Sequence, residues 1–151
     1  MRILFVCTGN TCRSPMAEGY FRYLIEKNNI NNITVMSAGT YAYNGESPSP
    51  NAVKAVGEYG VDIANHSSSA LTKEMVDEAD LIITMTGSHR QQIIEAESNA
   101  ASKVHLLNEY SENGGDISDP FGGGIEIYKM CFSTMLPALE GLLKNIEKNS
   151  K

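Results

Sequence analysis

The stretch Ile3-Leu4-Phe5-Val6-Cys7-Thr8-Gly9-Asn10-Thr11-Cys12-Arg13-Ser14-Pro15 decides the architecture. Its first four residues are apolar without alternation, the pattern of a parallel strand covered on both faces. A turn-rich run of Thr, Gly and Asn follows. Ser14-Pro15 then joins a favoured helix N-cap to a residue favoured at the first helical position. Ala17, Phe21, Leu24 and Ile25 recur at three- and four-residue spacing and give that helix one apolar face. The unit is a strand, a phosphate-sized loop and a helix.

Such a loop suits an anion, because a helix N-terminus presents unpaired N–H groups and positive partial charge. Gly9 and Asn10 tolerate the unusual backbone angles that turn those groups inward. Arg13 lies six positions after Cys7, so a curled loop brings both against one anion, which the guanidinium fork grips. The same environment is expected to lower the Cys7 pKa and populate the nucleophilic thiolate. Ser14 can add a hydroxyl hydrogen bond to that sulfur.

Working outward, strands are predicted over Ile33 to Met36, Leu81 to Met85 and Val104 to Leu107. Ser49-Pro50 offers a second cap-plus-proline helix start, running to about Tyr59. Thr72 to Ala79 reads as a short helix, and Ser88 with Gln91 forms a capping-box pattern for the next one. Ile127, Cys131, Met135, Leu139, Leu142 or Leu143, and Ile146 share a helical spacing, with Pro137 expected to kink or split that helix. The tail Lys148 to Lys151 is expected to fray. Strands alternating with helices predict a three-layer α/β/α fold, with a four-stranded, mostly parallel sheet in one domain over residues 1–151.

The net charge of -6 leaves no basic surplus for a nucleic-acid backbone. No apolar run reaches the roughly 18 residues a membrane span needs, and the apolar start is too short for a signal-peptide core. Three cysteines, two of them five residues apart, do not make a secreted disulfide framework. A cytoplasmic location with reduced thiols is expected, with no metal or cofactor.

The run from Cys7 through five residues to Arg13-Ser14, at the start of the chain, resembles the signature loop of the low-molecular-weight protein tyrosine phosphatase family. Ser37-Ala38-Gly39, His66 and Asp119-Pro120 match further segments of that family, so the resemblance covers nearly the whole chain. It implies the low-molecular-weight phosphatase fold and a two-step reaction through a phosphocysteine, with Cys7 as nucleophile and Arg13 on the phosphate. Asp119 is implied as proton donor and then as base. Locally, Asp119-Pro120 before glycines is ordinary turn chemistry; the Cys7 loop is what makes it an acid. Thr8, Gly9, Asn10, Thr11, Cys12, Ser14 and Phe121 are implied as substrate-binding, and Ser37 and His66 as loop supports.

Two features depart from the tyrosine-specific pattern. Position 11 is Thr rather than an aliphatic residue, and Asp119-Pro120 is followed by Phe121-Gly122-Gly123-Gly124 rather than by adjacent large aromatics. This pairing resembles the family's protein arginine phosphatase branch of Gram-positive bacteria, which implies hydrolysis of phosphoarginine on proteins. Tyrosine phosphatase activity is the alternative. Arsenate reductase would need two further thiols in a relay, and a phosphocarrier has no evident use for both Arg13 and Asp119. A non-catalytic phosphopeptide-binding module remains a third rival. Cys12 is either a small filler or a thiol that traps oxidised Cys7 as a disulfide. Tyr41 and Tyr43 lie in a loop that either borders the active-site mouth or, as is commoner for such residues, only covers the surface, and a monomer acting on phosphorylated proteins is expected.

Overall fold

In a computed structural model, residues 1–150 are described. The apolar start becomes strand β1 (Arg2–Cys7), followed by helix α1 (Arg13–Lys27), β2 (Thr34–Gly39) and α2 (Pro50–Gly57). Next come α3 (Lys73–Glu78), β3 (Leu81–Thr84), α4 (Gly87–Ala96), β4 (Val104–Leu106) and the long α5 (Ile125–Asn149), with 3₁₀ turns on either side of β4. The strands pair in the order β2-β1-β3-β4, and every pairing is parallel. This agrees with the sheet expected from the sequence.

Alternation along β1 builds the layers. Ile3 and Phe5 point into a core with Phe21 of α1, Val56 of α2 and Leu139 of α5. Leu4 and Val6 point the other way, against Val76 of α3 and Ile93 of α4. All four side chains are fully buried, which is why this strand shows no polar residue between its ends. From β1 the chain crosses first to β2 on one side, then to β3 on the other. The C-terminal end of β1 is therefore the point where connections diverge and leave a crevice, and Cys7 is its last residue.

Several boundaries differ from the sequence reading. α1 begins one residue before Ser14, and Ser14 spends its hydroxyl on the loop rather than on capping. α4 is capped by Thr86, whose Oγ1 accepts the His89 N–H, and not by Ser88. Pro137 does not split α5, which runs unbroken to Asn149. Its buried stripe starts at Tyr128 and Phe132 rather than at Ile127 and Cys131, an offset of one residue confined to the first turns, and Met135, Leu139, Leu142 and Leu143 are buried as predicted. The tail is helical through Asn149; Lys151 lies outside the described residues. No helix among those residues is long and apolar enough to cross a membrane.

Candidate active site

The loop between β1 and α1 closes around its own backbone because one residue takes a left-handed conformation. That residue is Asn10, at φ 56°, and not Gly9. Asn10 is fully buried, and its side chain holds the loop from behind. Its Nδ2 donates to Ser14 Oγ at 2.8 Å and to Ser37 Oγ at 2.9 Å, and its Oδ1 accepts the Ser69 N–H at 2.9 Å. His66 Nε2 lies 3.0 Å from the Asn10 carbonyl, and Ser37 donates to Glu18. This network uses no cleft surface. The Asn10 side chain supports the loop from behind, and the Ser14 hydroxyl reaches from this network to the Cys7 sulfur.

Gly39 explains why β2 ends where it does. A Cβ there would drive into the Thr8 carbonyl and come within 2.8 Å of Ala42 Cβ, so only glycine lets β2 pass beside the loop. The Thr40 and Tyr41 N–H groups then donate to the carbonyls of Cys7 and Thr8, each at 2.9 Å.

Cys7 lies at the bottom of a cleft of about 270 Å³, walled by Thr11, Arg13, Tyr41, Tyr43, Asp119 and Phe121, with Thr8, Gly9, Cys12 and Glu46 completing it. A larger cavity of about 630 Å³ beside α1 is lined by Glu18 and His66 and lacks the thiol. Cys7 Sγ is 2.9 Å from Ser14 Oγ. Burial pushes the Cys7 thiol up from its ordinary value, while the Ser14 hydroxyl and N–H, the Arg13 charge and the Asn10 N–H pull it down. Burial prevails. The net direction is thus opposite to the lowering expected from the sequence, because charge and donors were legible there and depth was not.

Arg13 is only 4% exposed. Its Nη1 donates to the Ile117 carbonyl at 2.9 Å and its Nη2 to Thr8 Oγ1 at 3.4 Å. Nη2 also lies 3.7 Å from Asp119 Oδ2, which brings together residues 106 positions apart in sequence. Asp119 Oδ1 accepts the Phe121 N–H at 3.0 Å, the turn contact its local sequence suggests. Its side chain is half exposed at the cleft mouth. Cys12 turns its sulfur away from the cleft, to Ser49 Oγ at 3.0 Å and the Tyr128 hydroxyl at 3.3 Å.

Sequence reasoning passed over His89. Its Nε2 is 2.8 Å from Thr8 Oγ1 and its Nδ1 is 2.9 Å from Thr86 Oγ1. Burial, helped by the Arg13 charge, pushes its pKa down to about 4, so the ring is neutral at pH 7. Thr8 Oγ1 thus stands between the His89 ring and Arg13 Nη2, which donates to it. No sequence signal marks His89, since it sits 81 residues from its partner.

A buried thiol against a hydroxyl, an arginine beside it and a carboxylate across the cleft make this a cysteine-based phosphate site at the end of a parallel strand. The pattern of the low molecular weight phosphotyrosine protein phosphatase family matches residues 2–151, and the chain belongs to that family. It is 42% identical, over all of both chains, to a protein-arginine-phosphatase of Bacillus subtilis. It is 37% identical to the low molecular weight protein-tyrosine-phosphatase PtpB of Staphylococcus haemolyticus, over 96% of this chain and 99% of that one. The solved YwlE arginine phosphatase, a cysteine-to-serine mutant with a phosphorylated active-site serine, superposes with a TM-score of 0.92 at 42% identity. That match covers 98% of this chain and 97% of the other.

Proposed function

We propose that this protein is a cysteine-dependent phosphatase that hydrolyses phosphoarginine on proteins. The observation that carries the proposal is the convergence of Cys7, Arg13 and Asp119 on one cleft that also takes in Thr11 and, after Asp-Pro, the single ring of Phe121. In the first step the Cys7 thiol gives up its proton to solvent, its thiolate attacks phosphorus as the P–N bond breaks, and Asp119 gives its proton to the leaving guanidine nitrogen. In the second, water attacks the phosphocysteine, Asp119 takes the water proton, and phosphate and the Cys7 thiolate are released. Arg13 and the loop N–H groups neutralise the charge gathering on the phosphoryl oxygens. Thr11 offers a hydroxyl where an aliphatic residue has none, and Phe121 offers one flat face to a planar guanidinium.

The arginine phosphatase names of its Bacillus and Geobacillus relatives support this reading. The tyrosine phosphatase name of the Staphylococcus relative keeps phosphotyrosine as the second reading. Phosphate release from a phosphoarginine peptide and a matched phosphotyrosine peptide, with Cys7→Ser as blank, separates the two. A strong preference for phosphoarginine is the expected result, and Thr11→Ile is expected to shift the ratio towards phosphotyrosine. An unchanged ratio in that variant removes the role given to Thr11.

The working form we propose is a monomeric, cytoplasmic, single-domain enzyme over residues 1–151, acting on phosphorylated proteins without metal, nucleic acid or membrane. We also propose redox control: peroxide converts the Cys7 thiolate to a sulfenic acid, and the Cys12 thiol displaces water to give a disulfide. For this Cys12 must leave Ser49 and Tyr128.

A further inference from the structure

The cleft holds two carboxylates, Asp119 and Glu46, and the mechanism uses only the first. Resting on the phosphoarginine reading, this raises a charge problem. The acid of the first step must carry a proton to give to the leaving nitrogen, so at that moment Asp119 is neutral. The guanidinium it faces is a delocalised cation. One carboxylate cannot be both the proton donor and the counter-charge, so the second has work to do only if the substrate is cationic.

Glu46 stands on an anchored rim. Its N–H donates to Ser68 Oγ at 2.8 Å, and the Ser68 N–H donates back to the Glu46 carbonyl at 2.9 Å. Ser68, 2% exposed, also donates its hydroxyl to the Tyr43 carbonyl, and Asn44 Oδ1 accepts the Ala70 N–H at 2.8 Å. Tyr41 is tied to the phosphate loop through the Thr8 carbonyl. The backbone is therefore held while the side chains project. The Tyr41 and Tyr43 rings are 78% and 71% exposed, and both border the same cleft as Glu46. Large rings left in water on a fixed backbone mark a binding surface, and rings beside a carboxylate suit a planar cation.

We propose that Glu46 is the counter-ion of the substrate guanidinium, with Tyr41 and Tyr43 against its plane, as a cation-selecting rim separate from the proton donor. Asp119 and Arg13 handle the phosphoryl end, and Glu46 takes guanidinium N–H groups that are not leaving. A phosphotyrosine ring brings no cation to this rim and gains nothing from Glu46. Specificity is then shared between the floor at Thr11 and the rim at Glu46, and the rim acts on binding and so on KM.

The test uses the full chain and the variant Glu46→Gln. The first arm measures hydrolysis of an aryl phosphate in the presence of butylguanidinium, a cation without phosphate, and separately of inorganic phosphate. The charge-assisted contact predicts that butylguanidinium inhibition weakens roughly tenfold in the variant while phosphate inhibition stays within about twofold. The second arm measures the ratio of phosphoarginine to phosphotyrosine kcat/KM, which falls by about the same factor, carried by KM. Absence of butylguanidinium inhibition in the unmodified protein overturns the proposal. So does equal inhibition in the variant, or a parallel loss against phosphate. If the unmodified protein prefers phosphotyrosine, the substrate reading fails, and the butylguanidinium arm still decides whether the rim binds a cation.

Discussion

Among the described residues, Asn10 is one of two non-glycine residues with positive φ, the other being Asn29. Every polar atom of its side chain is engaged, so the strain of the left-handed conformation is held by Ser14, Ser37 and Ser69. Around it, single residues carry separable roles. Cys7→Ser is expected to lower turnover by at least about 10³-fold, measured as phosphate release, because a serine hydroxyl lacks a comparable nucleophilic form. Asp119→Asn is expected to cost about 10²–10⁴-fold in kcat with little change in phosphate inhibition. Cys12→Ser is expected to make peroxide inactivation harder to reverse with a thiol reductant; equal recovery in the variant would remove Cys12 from the redox scheme. His89 gives a pH dependence. Its folded pKa of about 4 lies below the ordinary 6.5, so between these values the unfolded chain binds more protons. Its contribution is present above pH 6.5 and is lost as pH falls towards 4. Urea unfolding of the unmodified protein and His89→Asn should therefore show a stability difference that is widest near pH 7 and closes towards pH 4.

Among the elements, β2 and α5 set the tolerances of the site. β2 approaches the loop so closely at Gly39 that Gly39→Ala should cost about 1–3 kcal/mol by chemical denaturation. It should also weaken phosphate inhibition, because Thr8 and Tyr41 must shift together. α5 continues through Pro137 because its buried stripe, Tyr128, Phe132, Met135, Leu139 and Leu142, packs into the core it shares with α1 and α2 on both sides of that position. Tertiary packing outweighs the one backbone hydrogen bond that proline removes. The same helix delivers the Tyr128 hydroxyl to Cys12 from 116 residues away.

For the whole molecule, the strand order β2-β1-β3-β4 decides where chemistry can happen. Connections diverge at the end of β1, so the loop after Cys7 faces an open crevice into which the β2–α2 loop brings Tyr41 to Glu46 and the segment before α5 brings Asp119 and Phe121. Leu139 anchors α5 to this frame and is fully buried. Leu139→Ala should cost about 2–5 kcal/mol of global stability, read as a lower midpoint in urea. Turnover measured well below that midpoint should be much less affected, since Leu139 is not among the residues that line the cleft.

What the sequence determined by itself is local. The apolar run, the Cys7-to-Arg13 spacing and the Pro-led helix starts specify a strand, an anion loop and a helix, because backbone propensity and short-range spacing act within a few residues. Asp119 was legible only as a turn until the Cys7 loop raised the question of an acid. Which carboxylates reach the cleft, that His89 holds Thr8, that Cys12 turns to Tyr128 and that Cys7 is deep enough for burial to raise its pKa were decided by tertiary structure alone. Each depends on contacts between distant segments, and burial is a property of the packed molecule that no single stretch of chain encodes.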